Sequence, residues 1–119
     1  MGLFRDCLFC DEQLDGVLWL SSSWMVMRDL VPVSPGHVEI IPLRHVKTLD
    51  KLLERERLDL PHAMDMAKYL ILANDWKRTY SDALEEAPDW AVPFLEDALE
   101  SKFLKKKPQG YNIGINEGT

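Results

Sequence analysis

Two apolar stretches, residues 17–20 and 24–28, flank the run Ser21-Ser22-Ser23. Both are rich in β-branched and aromatic residues, and Met25 and Met27 alternate with Trp24, Val26 and Arg28, so the pair predicts a hairpin with a short polar turn. Asp29-Leu30-Val31-Pro32-Val33-Ser34-Pro35-Gly36 follows, where two prolines and a glycine exclude a helix and force an ordered loop. His37-Val38-Glu39-Ile40-Ile41 then reads as a third strand, stopped by Pro42.

After Arg44-His45 the period changes from two to 3.6. Ala63, Met66, Ala67, Leu70, Ala73, Trp76 and Tyr80 form the stripe of an amphipathic helix packed on a sheet. This predicts one helix over residues 60–79, with Asp59 as N-cap and Pro61 in the first turn, preceded by a helical turn near residues 49–53. A second helix begins after Asp89 and runs through Leu95, Leu99 and Phe103, with Lys105, Lys106 and Lys107 at the end where the helix dipole favours cations. Pro108 and Gly110 close it, and the alternating Tyr111-Asn112-Ile113-Gly114-Ile115-Asn116 predicts a final strand. Strand, strand, strand, helix, helix, strand is an α+β order, with two helices on an antiparallel sheet.

The 119 residues read as one domain, since halving them would leave two cores too small to be stable. Hydrophobic residues at 46% are enough to fill a core. Fourteen Lys and Arg against twenty Asp and Glu give a net charge of −6, which argues against a protein that coats nucleic acid. A small phosphorylated ligand held by backbone amides remains compatible with that charge. No run of about 18 apolar residues is present to span a membrane, and the first residues lack a signal-peptide pattern. The cytoplasm is the expected compartment.

Cys7-Leu8-Phe9-Cys10 places two thiols three residues apart, too close to staple a large loop. Both sulfurs of such a pair can reach one Zn²⁺; a redox pair and two small core side chains are the other readings. A closed zinc site needs four ligands, and the histidines available are His37, His45 and His62. The stiff loop aims the imidazole of His37 from the first position of a strand, where it can act as acid, base or hydrogen-bond donor; a turn that merely happens to contain a histidine is the plain alternative. His37 and His45 stand eight residues apart, about 26 Å on a regular strand, so they share a small site only if Pro42 turns the chain. His62, in the first turn of the long helix, reads as a surface residue. Asp29 can accept hydrogen bonds from a ribose diol or serve as an ordinary loop cap. The lysine run is most simply solvated charge. No Walker A sequence or Gly-rich dinucleotide fingerprint occurs.

Taken together, Cys7-Leu8-Phe9-Cys10, the stretch from Met27 through Ser34-Pro35-Gly36-His37 and Ile41-Pro42-Leu43-Arg44-His45, and Tyr111 to Gly118 resemble the histidine triad (HIT) family of nucleotide-binding proteins. The region between Trp76 and Gln109 is longer than in common members. The resemblance implies a HIT-like antiparallel sheet carrying two helices, a homodimer, and cleavage at the α-phosphorus of a nucleoside phosphate by hydrolysis or nucleotidyl transfer. By that analogy Asp29 holds the ribose hydroxyls, Phe9, Met27 and Leu30 border the base, and Asn116 approaches the phosphate. His37 looks like the histidine that supports the catalytic centre, and Cys7, Cys10 and His45 match three ligands of a structural zinc.

The family's His-x-His-x-His strand, whose alternation puts the reacting imidazoles on one sheet face, does not occur within the 119 residues. The expectation is therefore a C-terminally incomplete HIT domain whose nucleophile lies beyond Thr119, because Asn116-Glu117-Gly118-Thr119 reads as an interrupted turn. The alternative is a non-catalytic module that binds nucleotide or zinc.

Overall fold

A computed structural model describes residues 16–117. Its sheet has three strands in the order β1-β2-β3, from β1 (Val17–Leu20), β2 (Trp24–Arg28) and β3 (Val38–Pro42), and both pairings are antiparallel. The serine turn closes through the Ser21 hydroxyl, which accepts the amide hydrogens of Ser23 and Trp24 at 3.2 and 3.0 Å. β1 carries a bulge: Val17 faces Met27, but Trp19 already faces Val26. The extra residue, Leu18, lets two consecutive side chains meet the helical layer, Leu18 against one apolar cluster and Trp19 against another.

A single-turn 3-10 helix (Leu49–Lys51) leads into α1 (Glu54–Ala73), followed by α2 (Trp76–Glu86) and α3 (Val92–Glu100). One core lies where Trp24 of β2 meets Leu52 and Ala63, with Trp19, Ile40, Val46 and Leu60 around it. The second joins α2 to α3 through Trp76, Tyr80, Ala83, Leu95 and Ala98, and Leu18, Leu30 and Val38 pack onto it. The helices thus cover one sheet face. Strand alternation sends Met25, Met27, Glu39 and Ile41 to the other.

The α+β class holds, but the elements differ from expectation in four places. The single helix over residues 60–79 is two helices. Asn74 leaves helical geometry at φ −74° and ψ 146°, and Asp75 starts α2 by accepting the amide hydrogen of Arg78 at 3.1 Å. The indole N–H of Trp76 donates to Ile71 O at 3.0 Å, satisfying a carbonyl that the end of α1 would otherwise leave without a partner.

The N-terminus of α1 also lies earlier than expected. Leu53 is its N-cap, and the Glu56 carboxylate takes the Leu53 amide hydrogen at 2.7 Å, half of a capping box. Asp59 is not a cap; it accepts the Ser21 hydroxyl hydrogen at 3.1 Å. Pro61 lies inside the helix and His62 beyond its first turn.

Third, α3 ends at Glu100, before Phe103, so the lysine run follows the helix across turns instead of occupying its last turn. Fourth, residues 111–116 form no strand. Ile113 and Ile115 are more than half exposed, Lys68 lies over the Tyr111 ring at 5.5 Å, and Glu117, just past the segment, accepts the Leu49 amide hydrogen at 2.7 Å. Alternation makes a strand only where a neighbouring backbone completes the ladder. Among the described residues the α-helices number three rather than two.

Candidate functional site

The loop between β2 and β3 is built from its ends inward. Asp29 N–H donates to His37 O at 3.3 Å and His37 N–H to Ser34 O at 3.1 Å, so the strand pairing continues one step past β2 before the chain turns. Asp29 Oδ1 accepts the Val31 amide hydrogen at 2.8 Å, an Asx turn that fixes the carboxylate. Gly36 adopts φ +90°, a conformation that L side chains rarely take. A Cβ there would also stand 3.3 Å from Ile71 Cγ2 and 3.7 Å from Trp76 Nε1.

Tyr80 locks this turn from below. Its phenol oxygen accepts the Gly36 amide hydrogen at 2.8 Å, its ring lies 5.5 Å from that of Trp76, and it is fully buried. Burial first, and the nearby charge of Asp29 after it, push the phenol upward from its ordinary value, while the Gly36 bond and Arg28 pull it down. Tyr80 therefore serves here as a neutral acceptor.

His37 is held at both ring nitrogens. Nδ1 accepts the Val33 amide hydrogen at 3.2 Å, and Nε2 lies 3.5 Å from Asp29 Oδ2. With Nδ1 accepting, the neutral ring carries its proton on Nε2 and points it at the carboxylate, an assignment that follows from the hydrogen-bond network. Both side chains remain partly open to solvent, at 36% for His37 and 21% for Asp29. Each carboxylate oxygen keeps a free lone pair, so Asp29 can accept two further hydrogen bonds from a ligand.

Glu39 joins this pair on the same face, two residues along from His37 and directly opposite Met27. Burial, with a smaller push from the Asp29 charge, raises its carboxyl to about 7. The face therefore offers a carboxylate acceptor at Asp29, an oriented imidazole at His37, and an acid at Glu39 that holds its proton about half the time near neutrality. Spacing could have revealed Glu39, because it is the acidic residue in phase with His37. No local signal pointed to Tyr80, whose role arises from packing across 44 residues.

The other expected residues divide. Met27 lies on this face, across from Glu39. Leu30 packs instead against the α2–α3 core. Asn116 is exposed in the extended segment. His45 follows β3, at the opposite end from His37, and His62 meets Trp19 edge-on at 5.5 Å on the helical side. Phe9, Cys7 and Cys10 lie outside the described residues. A zinc site at Cys7, Cys10 and His45 therefore has one described member, and among the described residues no three His, Cys, Asp or Glu side chains converge.

A cavity of about 170 Å³ borders the Ser34–Pro35 turn, but neither Asp29, His37 nor Glu39 lines it. Asp29, His37 and Glu39 thus lie apart from this cavity, on the sheet face turned away from the helices, where Met25 and Ile41 are buried. Among the described residues, no helix is long and apolar enough to cross a membrane. No protein-family model, curated protein or solved structure matches the chain.

Proposed function

We propose that the face formed by Asp29, His37 and Met27 binds a nucleoside phosphate, as part of a HIT-type site for hydrolysis or nucleotidyl transfer at the α-phosphorus. The observation that carries this reading is the Asp29 carboxylate. It is fixed by the Val31 amide, approached by His37 Nε2, and still has lone pairs open to a vicinal diol. Met27 supplies apolar surface beside it. Glu39, kept partly protonated by its raised pKa, reduces the negative charge that an incoming phosphate meets and can donate one hydrogen bond.

His37 acts in this scheme as a positioning group, since one nitrogen is occupied by Val33 and the other faces Asp29. The reacting histidine is supplied from outside the 119 residues. It attacks phosphorus, the leaving group departs with the bonding electron pair, and water then releases the nucleotide from the covalent intermediate. Taken alone, the 119 residues act as a nucleotide-binding module, a reading favoured by the full engagement of the His37 ring.

The proposal also includes a homodimer in the cytoplasm and a structural zinc on Cys7, Cys10 and His45, which would pin the N-terminal turn to the sheet. Metal analysis of the protein against the Cys7→Ser and Cys10→Ser variants checks the zinc. Turnover is tested by joining the chain to a His-x-His-x-His strand and supplying an adenosine phosphoramidate. Release of AMP with a burst of nucleotidylated protein is expected; absence of both in a folded product removes the enzymatic reading.

A further inference from the structure

Beyond the sheet face, the Ser34–Pro35 turn borders a second feature. A cavity of about 170 Å³ opens between that turn, the junction of α1 with α2, and the turns after α3. Pro35, Ile71, Trp76 and Phe103 give it apolar walls, and Lys106 and Lys107 stand on its lining. A second cavity of about 140 Å³ shares Ile71, Trp76, Lys106 and Lys107 and adds Lys105, so the two form one groove.

The charge of this groove runs against that of the chain. Lys102, Lys105, Lys106 and Lys107 fall within six residues of a protein whose net charge is −6. None of the four pairs with a carboxylate among the described residues. The ammonium groups of Lys102 and Lys106 lie 5.2 and 5.8 Å from the centre of the Phe103 ring, which makes that ring a wall ringed by cations. The Trp76 indole N–H is already committed to Ile71 O, leaving the lysines as the charged donors for an anionic guest.

We infer that this groove binds a small organic anion made of one compact apolar ring and a phosphate or carboxylate head. Size sets the ring, since a cavity of about 170 Å³ with apolar walls on one side has room for one benzene-sized group. Charge sets the head, because unpaired lysines beside apolar walls concentrate anions. The groove is separate from the Asp29 face, and the inference does not rest on nucleotide binding there.

Phenyl phosphate is the direct probe. The intact 119-residue protein, labelled with ¹⁵N, is titrated at low ionic strength while the amides of residues 105–107 and the Trp76 indole N–H are followed. Saturable shifts at these positions are expected, with an affinity about tenfold above that of inorganic phosphate because the ring leaves water. Lys106→Glu combined with Lys107→Glu should weaken binding by about tenfold or more, whereas Lys77→Glu, an exposed charge change on α2 outside the groove, should not. Phe103→Ala should lower affinity for phenyl phosphate and leave that for inorganic phosphate unchanged. Asp29→Asn should alter neither, which separates this site from the nucleotide reading. Equal affinity for the two phosphates, shifts confined to other residues, or indifference to the double charge reversal would each overturn the inference.

Discussion

The two ends of β3 are fastened by different chemistry. At its start, neutral groups do the holding: the Gly36 amide meets the buried Tyr80 phenol, and His37 exchanges backbone bonds with Ser34 and Asp29. At its far end Arg44 reaches both oxygens of Glu56 at 2.9 Å and donates to Lys51 O at 3.1 Å, while Glu56 also caps α1. Glu56 is only 2% exposed, and its hydrogen bonds from Arg44, with the Leu53 amide after them, hold its carboxyl below the usual range. The neutral Gly36–Tyr80 bond sits beside the candidate site and involves no group that ionises in acid. The ionic anchor ties sheet to helix and titrates with acid.

The largest expected effect comes from forcing the neutral anchor apart. Gly36→Ala places a side chain at φ +90° and against Ile71 and Trp76, and should cost about 2–3 kcal/mol in chemical denaturation. Next is the ionic anchor. Glu56→Ala removes a buried cap together with the partner of Arg44 and should cost about 2 kcal/mol at pH 7.

The sign of the pH dependence follows from the lowered Glu56 carboxyl. Its stabilisation is complete above the ordinary value of 4.5 and is lost as pH falls through the lower folded value, so wild type and Glu56→Ala should converge in acid. A gap that stays constant down to pH 2 would show that the charge contributes nothing.

Tyr80→Phe sharpens the contrast. It keeps the ring packing and leaves the Gly36 amide without its acceptor, for a loss of about 1.5 kcal/mol that should not vary between pH 4 and 8. The smallest effect is at Glu39 and has the opposite sign. Its folded pKa of about 7 exceeds the ordinary 4.5, so the ionised carboxylate costs nothing below pH 4.5 and opposes folding increasingly up to about 7. Glu39→Gln should therefore match wild type in acid and be more stable at pH 8, by about 1 kcal/mol after allowing for screening of a part-exposed group.

What the sequence made legible follows the same division between local and distant causes. The hairpin and β3 were readable because alternation, serines and prolines act within a few residues, and for the same reason Asp29 and His37 stood out on the loop between them. The break at Asn74 was hidden because Trp76 and Tyr80 continue the helical period of α1 while packing into a different core. The start of α1 was hidden because its cap depends on Glu56, which is held by Arg44 from across the fold. Residues 111–116 alternate as a strand would, but Tyr111 meets Lys68 and the following Glu117 meets Leu49, and no backbone ladder forms. Glu39 went unread although it is in phase with His37, and its raised pKa depends on burial that spacing does not report.

The central claim is that the fixed Asp29 carboxylate recognises a ribose diol. Calorimetric titration of the 119-residue protein with AMP and with 2′,3′-dideoxy-AMP, repeated on Asp29→Asn, tests it most directly. The account predicts saturable AMP binding, with about tenfold weaker affinity when either the diol or the carboxylate is removed and no further loss when both are. Equal affinities for AMP and its dideoxy form, or binding that Asp29→Asn leaves untouched, would contradict it.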